Sequence, residues 1–220
     1  MTFAAKRPRA HRYASVTAAA FLAATAMLLG FPAVPRALAA CPAVEVVFAR
    51  GTNEPPGVGK VGGAFINSLR QQTQRNVGAY GVNYPANDDF LAATDGANDA
   101  SAHIQHMADN CPNTKLVLGG YSQGAAVMDI VTAAPLPALG FRDPLPTDAA
   151  DHVAAVALFG NPSGRAGNLM TALSPDFGGK ILNLCNPGDP ICSDGNSWQA
   201  HLSYVPGLTN KAAHFVAAKI

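Results

Sequence analysis

The chain has 220 residues, which is enough for one domain with a buried core plus a targeting segment. Five of its 15 basic residues lie in residues 1–39 with no acidic neighbour, so residues 40–220 hold 10 basic and 14 acidic side chains, a formal charge of −4. This acidic balance leaves no basic patch of the kind that binds nucleic acid, and we expect no nucleic-acid partner.

Residues 1–39 have the pattern of a secretion signal peptide. Basic residues come first, an apolar run follows over residues 14–31, and Pro32 and Pro35 end that run. Residues 37–39, Ala-Leu-Ala, then supply the small-x-small pattern that signal peptidase cleaves. The apolar run is nearly long enough to span a bilayer, so an uncleaved anchor is the alternative. We therefore expect a secreted domain over residues 40–220, extracellular or associated with the cell wall.

Beyond the leader, short apolar runs alternate with segments of helix length. In chain order we predict strand Val44–Ala49, helix Val61–Gln74, strand Val77–Tyr84, helix Asp95–Asn110, strand Lys115–Gly119, helix Gln123–Ala133, strands Val153–Phe159 and Ile181–Leu184, and a last helix to Ile220. Asp95 and Thr209 are the predicted helix caps, and residues 135–146, rich in proline, are predicted to form a surface loop. Strands that are apolar throughout and alternate with helices predict an α/β fold, with a mainly parallel sheet covered by helices on both faces.

The segment after the first strand contains Arg50-Gly51-Thr52. A loop after an early strand of such a sheet can supply a hydrogen-bond donor to an oxyanion if a nucleophile lies later in the chain. Thr52 offers both its N–H and its hydroxyl for that purpose. A routine turn before the Val61 helix fits the spacing equally well.

The sharpest local motif is Gly120-Tyr121-Ser122-Gln123-Gly124, a G-x-S-x-G pattern. A predicted strand runs into it and a predicted helix leaves it, which is the setting in which a nucleophilic serine is held on a strained turn. Glycine is needed on either side because a side chain there would strike the neighbouring strand or helix. The alternative is a glycine-rich turn packed only for compactness, and the flanking elements favour catalysis by Ser122.

A serine nucleophile needs a base, and in this class of fold the base follows the serine in the chain. His152, His201 and His214 are the candidates. His152 precedes a strand at the opposite edge of the sheet, and His214 lies inside the predicted last helix. His201 falls in a stretch between Trp198 and Tyr204 that we predict to be irregular, and it is the favoured base.

The base needs a carboxylate to orient it, and Asp189 is the favoured acid. It lies just after a predicted strand, between Cys185 and Cys192, where a short disulfide loop would fix its position. Asp194 is the second candidate, outside that loop. An ordinary turn aspartate would be the default interpretation of Asp189 if His201 did not follow twelve residues later.

The four cysteines all lie beyond the leader, and an even count in an exported chain predicts two disulfides. Three pairings are open. The short spacing of Cys185 and Cys192 favours a local bridge, which leaves Cys41 with Cys111. A zinc site is the competing interpretation, and the lack of any C-x-x-C spacing disfavours it.

These motifs together resemble the cutinase family of small secreted hydrolases, in particular its bacterial branch. The resemblance runs from about Cys41 to Ile220. The stretches that match are Phe48–Thr52, Gly119–Gly124, the Cys185–Cys192 loop with its Gly-Asp-Pro, and His201–Tyr204. The resemblance implies a compact, lidless α/β hydrolase with five main parallel strands. It also implies the same two disulfides, Cys41 with Cys111 and Cys185 with Cys192.

The resemblance assigns roles to the matched residues: Ser122 nucleophile, Asp189 acid, His201 base, and Thr52 with Gln123 the oxyanion hole. It implies a carboxylesterase or lipase, and an apolar rim at Leu202 favours short- to medium-chain acyl esters. Acetyl-xylan esterase, phospholipase and thioesterase are alternatives on the same fold, and a secreted surface or antigenic protein with little turnover is the alternative outside enzymes. We expect no cofactor and no metal, a monomer, a small-molecule or lipid ester as substrate, and peripheral contact with lipid or the cell envelope.

Overall fold

The apolar runs form a parallel sheet in the computed structural model, which describes residue 1 and residues 41–133, 140–167 and 176–220. Within those residues five strands join in the order β2-β1-β3-β4-β5, and each neighbouring pair is parallel. The strands are β1 Val44–Ala49, β2 Val77–Gly81, β3 Lys115–Tyr121, β4 Val153–Phe159 and β5 Ile181–Leu184. The predicted parallel α/β sheet is thereby confirmed. Nearly all of the predicted leader lies outside the described residues.

Helices cover both faces of this sheet. In the described part they are α1 Gly59–Thr73, α2 Ala93–Asn110, α3 Gln123–Ala133, α4 Thr147–Asp151, α5 Trp198–His201 and α6 Gly207–Ala217, with 3₁₀ turns at Phe90–Ala92, Pro162–Ala166 and Gly178–Lys180. Helices α1 and α6 pack on one face, and α2 and α3 pack on the other. No helix in the described ranges has the length and apolar character needed to cross a membrane.

Two cores result, one on each face, because successive side chains of a strand point to opposite sides. Along β1, Phe48 joins the core beneath α1 and α6, whereas Val47 and Ala49 join the core beneath α2 and α3. The rings of Phe48, Phe65 and Phe159 lie 5.9–6.4 Å apart, centroid to centroid, and fill the first core. Burial on both sides explains why the strands lack polar alternation.

Two disulfides link the described cysteines, Cys41 with Cys111 and Cys185 with Cys192, at Cα–Cα distances of 5.6 and 5.9 Å. The first bridge ties the segment before β1 to the end of α2. The second closes the short loop after β5. On the chain-entropy account the longer loop gains about 4 kcal/mol and the shorter about 2.5 kcal/mol.

Both predicted helix caps are wrong. Helix α2 begins at Ala93, since the 3₁₀ turn before it runs directly into the helix and places Asp95 inside its first turn. The capping carboxylate is Asp89, which accepts a hydrogen bond from the Leu91 amide at 3.0 Å. Thr209 lies inside α6, where its hydroxyl donates to the Pro206 carbonyl instead of accepting from a free amide.

Candidate active site

The sheet places the candidate residues at one edge, where the strand order reverses. Strand β1 pairs with β2 on one side and with β3 on the other. The segment carrying Thr52 follows β1, and Ser122 follows β3 directly. The crevice at such a reversal, at the carboxyl ends of the strands, is the usual ligand position in open α/β sheets.

Ser122 stands on a strained turn between β3 and α3. Its φ is +54°, in the left-handed region that costs a side-chain-bearing residue about 1–2 kcal/mol. A Cβ at Gly120 would lie 2.1 Å from the Gly124 carbonyl oxygen, and one at Gly124 would lie 2.0 Å from the Ala49 carbonyl oxygen. Only glycine fits at these two positions, so the glycines of the motif permit the turn that presents Ser122.

A chain of hydrogen bonds connects the three residues predicted as a triad. His201 Nε2 lies 3.0 Å from Ser122 Oγ, and His201 Nδ1 lies 2.8 Å from Asp189 Oδ2. Asp189 is fully buried and His201 nearly so, whereas Ser122 is partly exposed. His201 ends the short helix α5, so the predicted irregular stretch is wrong as far as His201, whereas residues 202–204 lie outside any helix or strand. Ser197 starts this helix, with its side chain accepting a hydrogen bond from the Ala200 amide.

The surroundings of Asp189 favour its charged form. Burial by itself would raise the pKa of this carboxyl, but hydrogen bonds from Tyr204, His201 and the Ile191 amide outweigh burial, and the net pKa is lowered. The Ile191 amide donates to Oδ1 at 2.7 Å, and the Tyr204 hydroxyl donates to Oδ2 at 2.6 Å. A carboxylate held in this way can orient the imidazole and stabilise its positive charge.

The other candidates from the sequence lie elsewhere. His152 precedes β4 at the amino end of the strands, and His214 is exposed on α6. Asp194 is exposed in the turn after the second disulfide. The structure brings none of these three described residues into hydrogen-bond contact with Ser122 or His201.

Thr52 and Gln123 face each other across the top of β1 and β3. The Thr52 hydroxyl donates to Gln123 Oε1 at 3.3 Å, and Gln123 Nε2 donates to the Asn87 carbonyl at 2.9 Å. The Gln123 side chain is fully buried, so it anchors the loops. Its backbone N–H opens helix α3, where the first amides lack an intrahelical acceptor and can therefore donate to a bound anion.

Several residues that support the site were missed from the sequence. Glu54 accepts hydrogen bonds from the Gly51 amide at 2.7 Å and the Lys60 amide at 2.8 Å, which fixes the loop that carries Thr52. Buried Arg50 donates to the Glu54 carbonyl at 2.8 Å and to the Tyr84 carbonyl at 2.7 Å. An arginine directly after an apolar strand and before a glycine- and proline-rich loop was the available signal, since a charge at the end of a buried strand needs several acceptors.

Two tyrosines support the base and the acid, and they too were missed. The Tyr121 ring stacks on His201 with centroids 5.1 Å apart, and its hydroxyl donates to the His201 carbonyl at 2.7 Å. Tyr204 follows the base by three residues and reaches Asp189. Tyr204 lies between α5 and α6, outside any helix, so no helical spacing in the sequence indicated its contact with Asp189.

A cleft of about 520 Å³ opens above Ser122 and His201. Its wall includes Thr52, Tyr121 and Ile191, and Glu54, Lys60 and Asp88 supply charges. Four large apolar side chains at or beside the cleft are more than half exposed, namely Phe90, Leu91, Trp198 and Leu202. The predicted apolar rim at Leu202 therefore extends over two separate segments of the chain.

The described residues contain one close group of metal-ligand types, Cys185, Asp189 and Cys192. The two sulfurs are joined in a disulfide, so they are not thiolates, the form of cysteine that binds metal ions. The remaining carboxylate already accepts hydrogen bonds from His201 and Tyr204. The group therefore has a structural role.

Comparison with known proteins gives the family. The sequence model of the family described as Cutinase matches residues 40–220. "Phospholipase Culp4" of Mycobacterium tuberculosis is 70% identical over 96% of this chain and 93% of its own length. "Probable carboxylesterase Culp3" of the same species is 54% identical over 94% of this chain and 81% of its own length. The solved structure of Trichoderma reesei cutinase with a phosphonate inhibitor is 35% identical, covers 81% of this chain and 77% of that one, and superposes with a TM-score of 0.66.

The family match spans the whole domain that carries the strained serine turn, the hydrogen-bonded Ser-His-Asp chain and the open cleft. Relatives that cover 90–94% of this chain are named carboxylesterase or probable carboxylesterase. The chain therefore belongs to the cutinase family and is a carboxylic ester hydrolase.

Proposed function

We propose that this esterase hydrolyses short- to medium-chain acyl esters through an acyl-enzyme formed on Ser122. The observation that carries the proposal is the unbroken hydrogen-bonded chain from Ser122 Oγ through His201 to the buried Asp189 carboxylate. That chain ends in a partly exposed serine beneath an open cleft. A nucleophile, a base and an orienting acid are the groups that acyl transfer requires.

The first half of the reaction uses each group once. His201 Nε2 takes the Ser122 Oγ proton as Oγ bonds to the ester carbonyl carbon, and the carbonyl electron pair moves onto its oxygen. The Gln123 amide and the Thr52 amide stabilise that oxyanion, and the Thr52 hydroxyl joins them by turning its hydrogen away from Gln123 Oε1. When the oxyanion collapses, the C–O bond to the leaving alcohol breaks, and His201 returns the proton to that alcohol. Asp189 keeps the imidazole in its working tautomer.

The second half repeats these steps with water. His201 takes a proton from water, the hydroxide bonds to the acyl carbon, and collapse of the second tetrahedral intermediate releases the carboxylic acid. The proton returns to Ser122 Oγ, so the enzyme is restored. The partly exposed serine and the open cleft give water access to this intermediate.

Hydrolysis of phospholipids is the second candidate, and a specific observation favours it. The relative that is 70% identical is named a phospholipase. The exposed apolar side chains of Phe90, Trp198 and Leu202 line the cleft, and exposed Leu91 follows Phe90 in the chain, so these side chains can enter the outer layer of a lipid surface. We propose that the protein contacts lipid peripherally through this rim. We also propose that it is a monomer and that it is secreted after removal of residues 1–39. The two disulfides fit an oxidising compartment.

Ser122→Ala tests the proposal most directly. We expect ester hydrolysis to fall by about 10⁴-fold or more, because the nucleophile of the triad is removed. A fluorophosphonate should label the wild-type serine and leave the variant unlabelled, as read by intact-mass spectrometry. Ser68→Ala, on the far helix α1, is the matched control and should keep full activity. Retention of a tenth of wild-type activity by Ser122→Ala would exclude the assignment.

The substrate is assigned by a second set of assays. A chain-length series of p-nitrophenyl esters is measured beside phospholipid vesicles, thioesters and acetylated xylan. Leu91→Ser changes an exposed apolar side chain that does not line the cleft, so it should keep the rate on soluble butyrate ester and reduce both sedimentation with, and hydrolysis of, phosphatidylcholine vesicles. An equal loss on both substrates would contradict the proposed lipid contact.

A further inference from the structure

The hydroxyl of Tyr204 shares one carboxylate oxygen with the candidate base. It donates to Asp189 Oδ2 at 2.6 Å, and His201 Nδ1 lies 2.8 Å from that same oxygen. The other oxygen, Oδ1, accepts from the Ile191 amide at 2.7 Å. Two strong donors therefore compete for the oxygen that orients the imidazole.

The direction of the Tyr204 hydrogen bond is fixed by its neighbours. An ionised carboxylate only accepts, so the hydroxyl hydrogen points to Asp189. The Asn186 amide donates to the Tyr204 oxygen at 3.2 Å, which leaves that oxygen free to donate its single hydrogen. The nearby Cys192 sulfur, at 3.4 Å, is in a disulfide and carries no proton.

A glycine makes room for this arrangement. Gly160 follows β4 with φ +59°, and a Cβ there would lie 3.0 Å from His201 Cε1 and 3.2 Å from the Tyr204 hydroxyl. Any side chain at position 160 would press on both groups. The close approach of tyrosine, aspartate and histidine therefore depends on a backbone position that holds no side chain.

We propose that Tyr204 is a positioning residue for the esterase reaction, whose hydroxyl fixes the Asp189 carboxylate and limits how strongly that carboxylate favours a protonated His201. The inference rests on the triad proposed above. A donor that shares the oxygen takes part of its negative charge and weakens the pull on the imidazolium. Tyr204 and Asp189 are both fully buried, so water does not dilute this effect.

The ring and the hydroxyl of Tyr204 have separable roles. The ring packs edge-on against Phe159, centroids 6.1 Å apart, and lies 5.6 Å from the ring of Tyr121. These contacts belong to the core beneath α1 and α6. Tyr204→Phe keeps the ring and removes only the hydroxyl, so it isolates the proposed effect.

The groups around the base remain the same in that variant. His201 faces Asp189 and Tyr121, and the charged groups that line the cleft are Glu54, Lys60 and Asp88. Loss of the Tyr204 hydroxyl leaves more charge on Asp189 Oδ2, which favours the imidazolium. The acid limb of the activity profile should therefore move to higher pH.

The test measures kcat and KM of Tyr204→Phe on soluble p-nitrophenyl butyrate from pH 4 to 10. We expect the acid limb of kcat/KM to rise by about half a pH unit or more. We expect kcat to fall by about tenfold with KM nearly unchanged, as for loss of a hydrogen bond to a charged group. Tyr80→Phe is the matched control. It removes a hydroxyl on β2 that donates to Asp99 at 3.0–3.1 Å, and it should leave the pH profile of the activity unchanged.

Two further measurements follow, one that reads the base directly and one that avoids Tyr204→Phe in case this variant folds poorly. In a Ser122→Ala background, ¹⁵N shifts of the His201 imidazole should titrate with a higher midpoint once Tyr204→Phe is added. Replacing Tyr204 with 3,5-difluorotyrosine keeps the hydroxyl and makes it a stronger donor, so the acid limb should move downward instead. An unmoved acid limb and an unmoved imidazole titration would overturn the inference, even if kcat or the melting temperature falls. Full activity in Ser122→Ala would instead overturn the triad itself.

Discussion

Asp189 shows how the site works at the scale of single residues. Its side chain is fully buried, yet hydrogen bonds from Tyr204, His201 and the Ile191 amide outweigh that burial and lower its pKa. Its lowered pKa adds stability that is present above the unfolded value of about 3.9 and is lost as pH falls through the folded value. The same interactions therefore keep the acid ionised at neutral pH and hold it in place.

Asp189→Asn should fold with reduced stability, since its NH2 group replaces an oxygen that accepts hydrogen bonds, and it should lose about 10³–10⁴ in kcat, because an amide holds His201 in the wrong tautomer. Steady-state kinetics on a soluble ester, with circular dichroism as the folding check, measure this. Asp194→Asn is the matched control in the neighbouring turn, where the side chain is exposed. If the large loss appears in Asp194→Asn instead, Asp194 is the acid.

Asp129 on α3 is a second buried carboxyl, with the opposite tendency. Burial raises its pKa, and the nearby Ser163 and Asn161 side chains offset only part of that rise. Within the described residues its Oδ1 atom has no hydrogen-bond partner. The folded state therefore favours the protonated form of Asp129. The stability that this residue contributes is present in full below the unfolded pKa of about 3.9 and is lost as pH rises through its pKa in the folded protein.

Asp129→Asn should consequently stabilise the protein at neutral pH, because the amide mimics the protonated acid without carrying a charge. The gain in melting temperature over wild type should be larger at pH 7 than at pH 4. Differential scanning calorimetry at both pH values measures it. Asp109→Asn, at an exposed site on α2, should show no such difference. A gain that is equal at both pH values would argue against the titration of Asp129.

At the scale of elements, the sequence predicted the strands more accurately than the helix starts. The bounds predicted for β1, β4 and β5 agree with the structure, because continuous apolar runs have clear ends. Strand β2 ends at Gly81 instead of Tyr84, since Arg50 takes the carbonyls of Val82 and Tyr84 that a longer strand would offer. No local pattern in the sequence reports a guanidinium that arrives from another loop.

The features of the candidate site likewise divide into those that the sequence predicted and those that it did not. The serine turn and the order of nucleophile, acid and base follow from local motifs and chain order, and they remain the proposed assignment. Contacts between distant segments were not predictable, and the Tyr204 hydroxyl on Asp189 and the Tyr121 ring on His201 are of that kind. Such contacts depend on how α5 packs on the sheet, which periodicity does not encode.

The disulfide loop after β5 gives a prediction at this scale. Cys185→Ser with Cys192→Ser should lose activity below the melting temperature, because the loop that carries Asp189 loosens first. Cys41→Ser with Cys111→Ser, the matched control, should lose more stability, about 4 against 2.5 kcal/mol, and keep its activity while folded. Urea unfolding and ester kinetics compare the pairs. Full activity of the first variant would contradict the proposed role of the loop.

At the scale of the whole molecule, the open cleft determines how substrate arrives. Ser122 is partly exposed, and the family resemblance implies no lid. No conformational step at a lipid surface is then needed before a soluble ester binds. The exposed rim of Phe90, Leu91, Trp198 and Leu202 supplies apolar contact without a moving element.

We therefore expect the rate on soluble esters to rise smoothly with substrate concentration, below and through the micellar threshold. Each methylene added to acetate should improve kcat/KM by up to about fourfold, or 0.8 kcal/mol, until the acyl chain outgrows the cleft. Initial rates over a chain-length series measure both. A sharp jump at the threshold would reveal a lid, and activity on acetyl esters alone would move the substrate to acetylated polysaccharides.

The left-handed backbone conformation at Ser122 lowers the stability of the fold at the residue that we propose as the nucleophile. A serine there costs about 1–2 kcal/mol that a glycine would not. On the proposed assignment, turnover requires the serine at this position although its backbone conformation makes the fold less stable. Where activity is no longer required, Ser122→Gly would relieve the strained backbone and leave the rest of the surface unchanged. Inactive and more stable variants of this protein are therefore one substitution away, at residue 122.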